Sequence, residues 1–188
     1  MQTNVNFPTY VFATVNPGRA TKVVEELKRN SQIDLIAPVT GRYDLVLRLK
    51  ANTPHNVYQT VKEIREINDI RTTDTHTGFD GIQPTKKLES QMALGVSLLN
   101  CEHTTSENVI KQLSNIPGFI EASTVPGQFD IVALWQARTS EDIMKTSVER
   151  ISNLTGILRA RHFSLMHRSS TRNHSNIAPS TSPFFCVR

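Results

Sequence analysis

Cysteine is scarce in this chain: only Cys101 and Cys186 occur in 188 residues. A polypeptide of this length buries a core without covalent staples, so no disulfide framework is needed and a reducing compartment is the simplest setting. Long apolar runs are missing too, and Met1 to Thr9 holds no positive stretch followed by an apolar one. The chain therefore reads as cytoplasmic, neither exported nor anchored, with no membrane partner. Acidic residues are absent from the tail after His167, where Arg168, Arg172 and Arg188 lie. Setting those three aside reduces the 21 Lys and Arg to 18, against 17 Asp and Glu. Most of the formal charge of +4 thus belongs to the tail, and the rest, close to neutral, carries no basic footprint for direct nucleic-acid binding.

Catalytic signatures are equally sparse. The histidines, at 55, 76, 103, 162, 167 and 174, form no pair at metal-ligand spacing on one element, which argues against a metal site. There is no Gly-x-Ser-x-Gly elbow, phosphate-cradling loop or dinucleotide fingerprint. Cys101, Glu102 and His103 could suggest a nucleophile with a base, but adjacent residues on a strand point to opposite sides. The expectation is a chain without catalytic residues, metal or cofactor, and not an enzyme.

What the chain does contain is a segment written twice. Val39-Thr40-Gly41-Arg42-Tyr43-Asp44-Leu45-Val46 is echoed by Val125-Pro126-Gly127-Gln128-Phe129-Asp130-Ile131-Val132, an offset of 86 from 39 to 125. Tyr10 to Val15 resembles Leu94 to Leu99, and Ile70 to Thr77 corresponds to Ile157 to Ser164. In the first copy Ala20, Val23, Val24 and Leu27 recur at helical spacing after Pro17-Gly18, predicting a helix from about Arg19 to Arg29. Val57, Val61, Ile64 and Ile67 mark a second helix, with Thr53 as cap and Pro54 in its first turn. The second copy carries Val109, Ile110, Leu113 with Ile116, then Met144, Val148, Ile151 with Leu154. Each copy reads β-α-β-β-α-β.

Strand alternation shows what must cover these elements. Tyr43, Leu45, Leu47 and Leu49 fall on one face, and Asp44, Val46, Arg48 and Lys50 on the other. The first strand of each copy is apolar on both faces, and helices can cover only one. A second layer is needed, and the tethered sister copy can supply it. The expected fold class is α+β: two ferredoxin-like βαββαβ repeats forming an intramolecular dimeric α/β barrel. The expected divisions are a first repeat at 9–77, a linker at 78–91, a second repeat at 92–167 and a disordered tail at 168–188.

The strand opening into Pro-Gly and a helix, followed by Val-x-Gly-x-[Tyr/Phe]-Asp-[Leu/Ile]-Val, resembles the effector-binding (RAM) domain of the Lrp/AsnC regulators. The family's usual helix-turn-helix has no room ahead of a first strand near Tyr10. The resemblance implies an effector-binding accessory of transcriptional regulation without its own DNA-binding domain. Its effector would be an amino acid or related metabolite. Its partners would be further copies of itself or a DNA-binding regulator of the same family.

The resemblance also places effectors near the central hairpin and the last strand. In this chain those positions are Thr40, Gly41, Arg42, Tyr43, Asp44, Thr72 and Thr73, with Gly127, Gln128, Asp130, Arg159 and Arg161 in the second copy. Glycine N–H groups can hold a carboxylate and an aspartate can hold an ammonium. The same residues also suit a turn, Gly for its positive φ and Asp for bonds to nearby backbone N–H groups. The arginines suit an anionic ligand or a solvated strand face. Two other functions remain open: an enzyme acting inside the barrel, with His76 or His162 as suspects, and a structural adaptor.

Overall fold

The computed structural model describes residues 8–50, 53–84, 88–89, 91–102, 105–165 and 186–187. Its first half runs β1 (Thr9–Val15), α1 (Ala20–Leu27), β2 (Ile33–Pro38), β3 (Leu45–Leu49), α2 (Pro54–Arg65) and β4 (Ile70–Thr77). A short β5 (Asp80–Ile82) follows. The second half runs β6 (Ala93–Cys101), α3 (Ser106–Ser114), β7 (Phe119–Thr124), β8 (Ile131–Ala137), α4 (Ser140–Lys145) and β9 (Ile157–Leu165). The last strand, β10, is Cys186–Val187.

Two antiparallel sheets result, ordered β10-β2-β3-β1-β4 and β5-β7-β8-β6-β9. The fold is α+β, with four α-helices among the described residues. One apolar layer lies between the first sheet and α1 and α2, built on Val11, Val24, Leu45, Leu47 and Ile64. A second lies between the other sheet and α3 and α4, around Leu99, Val109, Ile131, Trp135 and Ile143. The third joins the sheets face to face: Tyr10, Phe12, Leu35 and Val46 from one, Val96, Leu98, Val132 and Phe163 from the other. Burying one such side chain is worth about 1.5–3 kcal/mol, so this shared layer is a main source of cohesion between the halves.

Local chemistry positions these elements. Thr53 accepts the Asn56 N–H at 3.2 Å to cap α2, with Pro54 in the first turn, and Thr139 caps α4 in the same way through Asp142 N–H at 3.1 Å. Gly41 and Gly127 hold φ of 117° and 127°, conformations that exclude a side chain without strain.

Several sequence expectations are corrected. Met144 and Val148 do not face the core but are each 57% exposed, and the buried residues are Ile143, Ser147 and Ile151. After Lys145 the helix widens into a π turn at Thr146–Arg150 before a 3-10 turn at Ile151–Asn153, which shifts the buried face onto every fourth residue. Tyr43 leaves the face of Leu45 and joins the layer between the sheets, as does Phe129, because β3 and β8 begin only at Leu45 and Ile131. Within the stretch read as a linker, Asp80–Ile82 pairs with β7. Most of the tail at 168–188 lies outside the described residues, but Cys186 and Val187 pair with Ile36 and Leu35 of β2.

Candidate functional site

The strand registers match the halves position by position. Phe12 stands opposite Val46 and Asp74, and Leu98 opposite Val132 and Arg161. By the same registers Tyr10 corresponds to Val96, two residues beyond the Leu94 with which the sequence pattern aligns it, His76 to Phe163, Arg48 to Leu134, Thr72 to Arg159, and Leu35 to Glu121. These pairs define the faces that look into the space between the sheets, where side chains from both halves meet.

An aromatic cluster fills part of that space. The Phe12 ring lies 5.2 Å from Tyr43, 5.6 Å from His76 and 5.6 Å from Phe163, centroid to centroid. Phe163 meets Tyr43 at 5.8 Å, and the corresponding contact, His76 to Phe129, is also 5.8 Å. Such tilted and edge-on pairs are favourable ring geometries. Polar groups border the rings. Tyr43 Oη donates to Asp74 Oδ2 at 2.6 Å, and the Arg161 guanidinium lies 5.4 Å from the Phe129 centroid. Arg42 stands over the Tyr43 ring at 5.6 Å. Burial, reinforced by the Asp74 carboxylate, pushes the Tyr43 phenol up to about 12, so it remains a donor at neutral pH.

A second polar group lies deeper between the sheets. Arg48 donates to Asp34 through Nε at 2.9 Å and Nη2 at 3.0 Å, and to Glu121 through Nη1 at 2.8 Å. Tyr10 Oη also donates to Glu121. Burial and the neighbouring Glu121 hold the Tyr10 phenol well above its ordinary range. Burial opposes the charge on Arg48, but Asp34 and Glu121 outweigh it and keep the guanidinium ionised. A cleft of about 90 Å³ lined by Asp34, Arg48, Lys50, Gln83 and Glu121 opens beside this network.

The sequence-predicted residues separate into distinct places. Tyr43 and Arg161 come together at the aromatic cluster, with Arg42 at its margin. Gly41 and Gly127 are turn positions open to solvent, where an added Cβ would meet nothing within 4 Å. Thr40, like Gly41, is exposed. The Asp44 carboxylate accepts the Val15 N–H at 2.8 Å, and Asp130 accepts the Cys101 N–H at 2.8 Å. Each fills the backbone irregularity where β1 or β6 shifts register. Thr72 shares a hydrogen bond with Thr14 at 2.6 Å, and Thr73 accepts from Arg65 Nε at 2.7 Å. Gln128 gives its carbonyl to Asn100, and Arg159 is exposed on β9. Sequence reasoning missed Asp74, Phe12, Phe163 and the whole Glu121 network. The alternation of β4 opposite β1 is the one signal that could have turned Asp74 inward.

His162 faces away from this space, toward α4. Ser97 bonds its Nδ1 and Ser152 its Nε2 at 2.9 Å, and burial lowers its pKa to about 4. Among the described residues no group of three or more His, Cys, Asp or Glu could hold a metal ion, and no helix is long and apolar enough to cross a membrane.

Two face-to-face antiparallel sheets, each backed by helices and sharing one inner layer, define a dimeric α/β barrel architecture in coarse outline. Residues 9–88 match the family model of the Lrp/AsnC ligand binding domain. The comparison with curated proteins gives no match. Among solved structures, the siroheme decarboxylase NirDL aligns over 86% of this chain and 72% of its own, with a TM-score of 0.64 and 8% identity. A mutant chlorite dismutase from Candidatus Nitrospira defluvii covers 85% of this chain and 91% of its own, at TM-score 0.58 and 11% identity. An anthrone oxidase-like protein covers 85% and 89%, at 0.55 and 8%. At these identities the likeness is one of fold. It nevertheless overturns the expectation that the chain is not an enzyme, because the architecture it shares along most of its length is one that enzymes use. Missing sequence motifs cannot exclude catalysis, since chemistry resides in sites grafted onto a fold.

Proposed function

We propose that the chain is a tandem of Lrp/AsnC-type ligand-binding domains, at 9–77 and 92–167 with a connection at 78–91, paired within one polypeptide. It binds a small-molecule effector, an amino acid or related metabolite. It acts in transcriptional regulation through a DNA-binding regulator of the same family or through further copies of itself. The observation that carries this reading is the family match at residues 9–88, and the identical element order of the second half supports extending it. The effector's place is the aromatic cluster bordered by Tyr43, Asp74 and Arg161, where both halves contribute side chains.

A thermal-shift panel of amino acids and their metabolic relatives tests the proposal. A ligand at a hundredfold excess over its dissociation constant stabilises by about 2.7 kcal/mol, and Asp74→Asn should reduce that response. A panel without any response, and a chain that captures no regulator, would remove it.

Fold likeness over 86% of the chain to a siroheme decarboxylase favours a second reading, catalysis within the barrel. One such structure is solved with an iron-uroporphyrin III analogue. The residues between the sheets here do not fit a macrocycle of that kind. Phe12, Tyr43, Phe163, His76 and Phe129 are already in ring contact there. This second reading would rest on turnover of a ligand found in the panel.

A further inference from the structure

Arg161 and His76 approach one ring from different strands. The Arg161 guanidinium lies 5.4 Å from the Phe129 centroid, and His76 meets that ring edge-on at 5.8 Å. Nη1 of Arg161 and Nε2 of His76 are both shielded from solvent, and neither has a hydrogen-bond partner. Nε2 stands 3.3 Å from Asp74 Oδ1 without the alignment of a bond. A guanidinium cannot shed its proton to escape burial, so a shielded, unpaired N–H of this kind is costly unless an acceptor joins it.

Positive charge exceeds negative around the pair. Asp74 supplies one carboxylate, already engaged by Tyr43 at 2.6 Å, against the guanidinium groups of Arg42 and Arg161 at the cluster's rings. The nearby hairpin carboxylates, Asp44 and Asp130, are occupied with the backbone N–H groups of Val15 and Cys101. The fold does not require arginines here, because the corresponding positions in the first half are Asp74 and Thr72. The two arginines of β9, Arg159 and Arg161, are peculiar to the second half, whereas His76 belongs to the first.

We propose that Arg161 and His76 bind the carboxylate of a small organic acid whose apolar part lies against Phe12, Phe129 and Phe163. The proposal rests on the reading of this cluster as a ligand site and adds the ligand's class. A carboxylate suits two donors beside phenyl rings. A phosphate brings nearly two negative charges and three acceptor oxygens, some of which would be left unpaired among those rings.

Calorimetric titration of the intact chain with benzoate, benzylamine and inorganic phosphate decides the matter. Benzoate alone should bind saturably at one per chain. Arg161→Gln should weaken it at least tenfold, Arg161→Lys should recover part of the loss, and the His76 imidazole ¹⁵N signals should move on addition. If Arg161→Gln does not fold, Arg161→Lys carries the comparison, because it keeps the charge and loses the planar fork. Benzoate heats that never saturate, unchanged affinity in both variants, or phosphate or benzylamine binding as tightly as benzoate would overturn the proposal. A blank benzoate titration beside a positive metabolite panel removes the acid assignment alone. Blanks in both remove the ligand reading with it.

Discussion

Between the sheets the first half contributes Tyr10, Arg48, Asp74 and His76, and at the corresponding registers the second half contributes Val96, Leu134, Arg161 and Phe163. Glu121 of the second half likewise matches Leu35 of the first. Two copies of either half, meeting through this face, would bury Arg48 against Leu35 or Glu121 against Leu134. The first pairing would leave Arg48 with Asp34 as its sole carboxylate, and the second would leave the Glu121 carboxylate with no basic partner, which is strongly unfavourable. Joining unlike halves in one chain removes that constraint. The pairing face can carry a one-sided ion pair in one place and a one-sided cationic pair in another, which a symmetric pairing of identical halves would have to duplicate.

The largest test of this contrast is to give Glu121 its counterpart's side chain. Glu121→Leu leaves Arg48 with Asp34 alone and Tyr10 without an acceptor. Breaking a buried pair on one side costs about 3–5 kcal/mol, read as a lower urea midpoint. Replacing the network by its apolar counterparts, Tyr10→Val, Arg48→Leu and Glu121→Leu together, should return much of that loss. A triple variant no better than Glu121→Leu would show that the network is not the source of the cost.

A smaller effect is expected where the halves exchange volume across paired strands. Gly95 stands opposite Trp135, and their counterparts are Thr9 and Leu49. A Cβ on Gly95 would come within 2.5 Å of the Trp135 ring. Gly95→Thr should therefore cost up to about 3 kcal/mol by overpacking. Adding Trp135→Leu should recover part of it, and a double variant as unstable as the single one would break the correspondence.

Third comes a pH dependence at a position where the halves differ. His162 has Thr75, which carries no ionisable group, as its counterpart. Its folded-state pKa is lowered by burial to about 4, below the ordinary 6.5. The unfolded chain therefore binds the proton first, so the stability present above about pH 6.5 is lost as pH falls toward 4. Allowing for its partial exposure, the loss is about 2 kcal/mol. His162→Thr should flatten the melting-temperature profile across that window, and a profile as steep as the original would place its cause elsewhere.

Element order was legible because Val23, Val24, Leu27 and Val57, Val61, Ile64 keep strict helical spacing, and because the Gly-x-[Tyr/Phe]-Asp segment recurs. The bordering residues of the candidate site were less so. Strand alternation counted from Tyr43 places that ring under the helices, but the strand starts only at Leu45, and the intervening Asp44 is turned back onto Val15. Arg48 and Glu121 are 73 residues apart and meet only through the packing of two sheets, which no local pattern encodes. Histidine 76 carried a signal as a titratable residue on a strand, without any hint of the ring it would meet.

The smallest effect separates α4 from its counterpart α2, whose Val57, Val61 and Ile64 are buried as their spacing predicts. In α4 and the π turn that continues it the apolar residues Met144 and Val148 point to solvent, while Ser147, with its hydroxyl donated to Ile143 O at 2.7 Å, occupies the core side. That bond satisfies the buried hydroxyl locally and allows a polar residue to stand where periodicity calls for an apolar one. Met144→Lys with Val148→Gln should therefore change stability by no more than about 0.5 kcal/mol, the range of exposed positions. Val61→Ala in α2, by contrast, removes buried methyls from a packed layer and should cost clearly more. If the α4 double variant unfolded as readily as the α2 variant, the π turn would not have rotated that face outward, and the two helices would be equivalent after all.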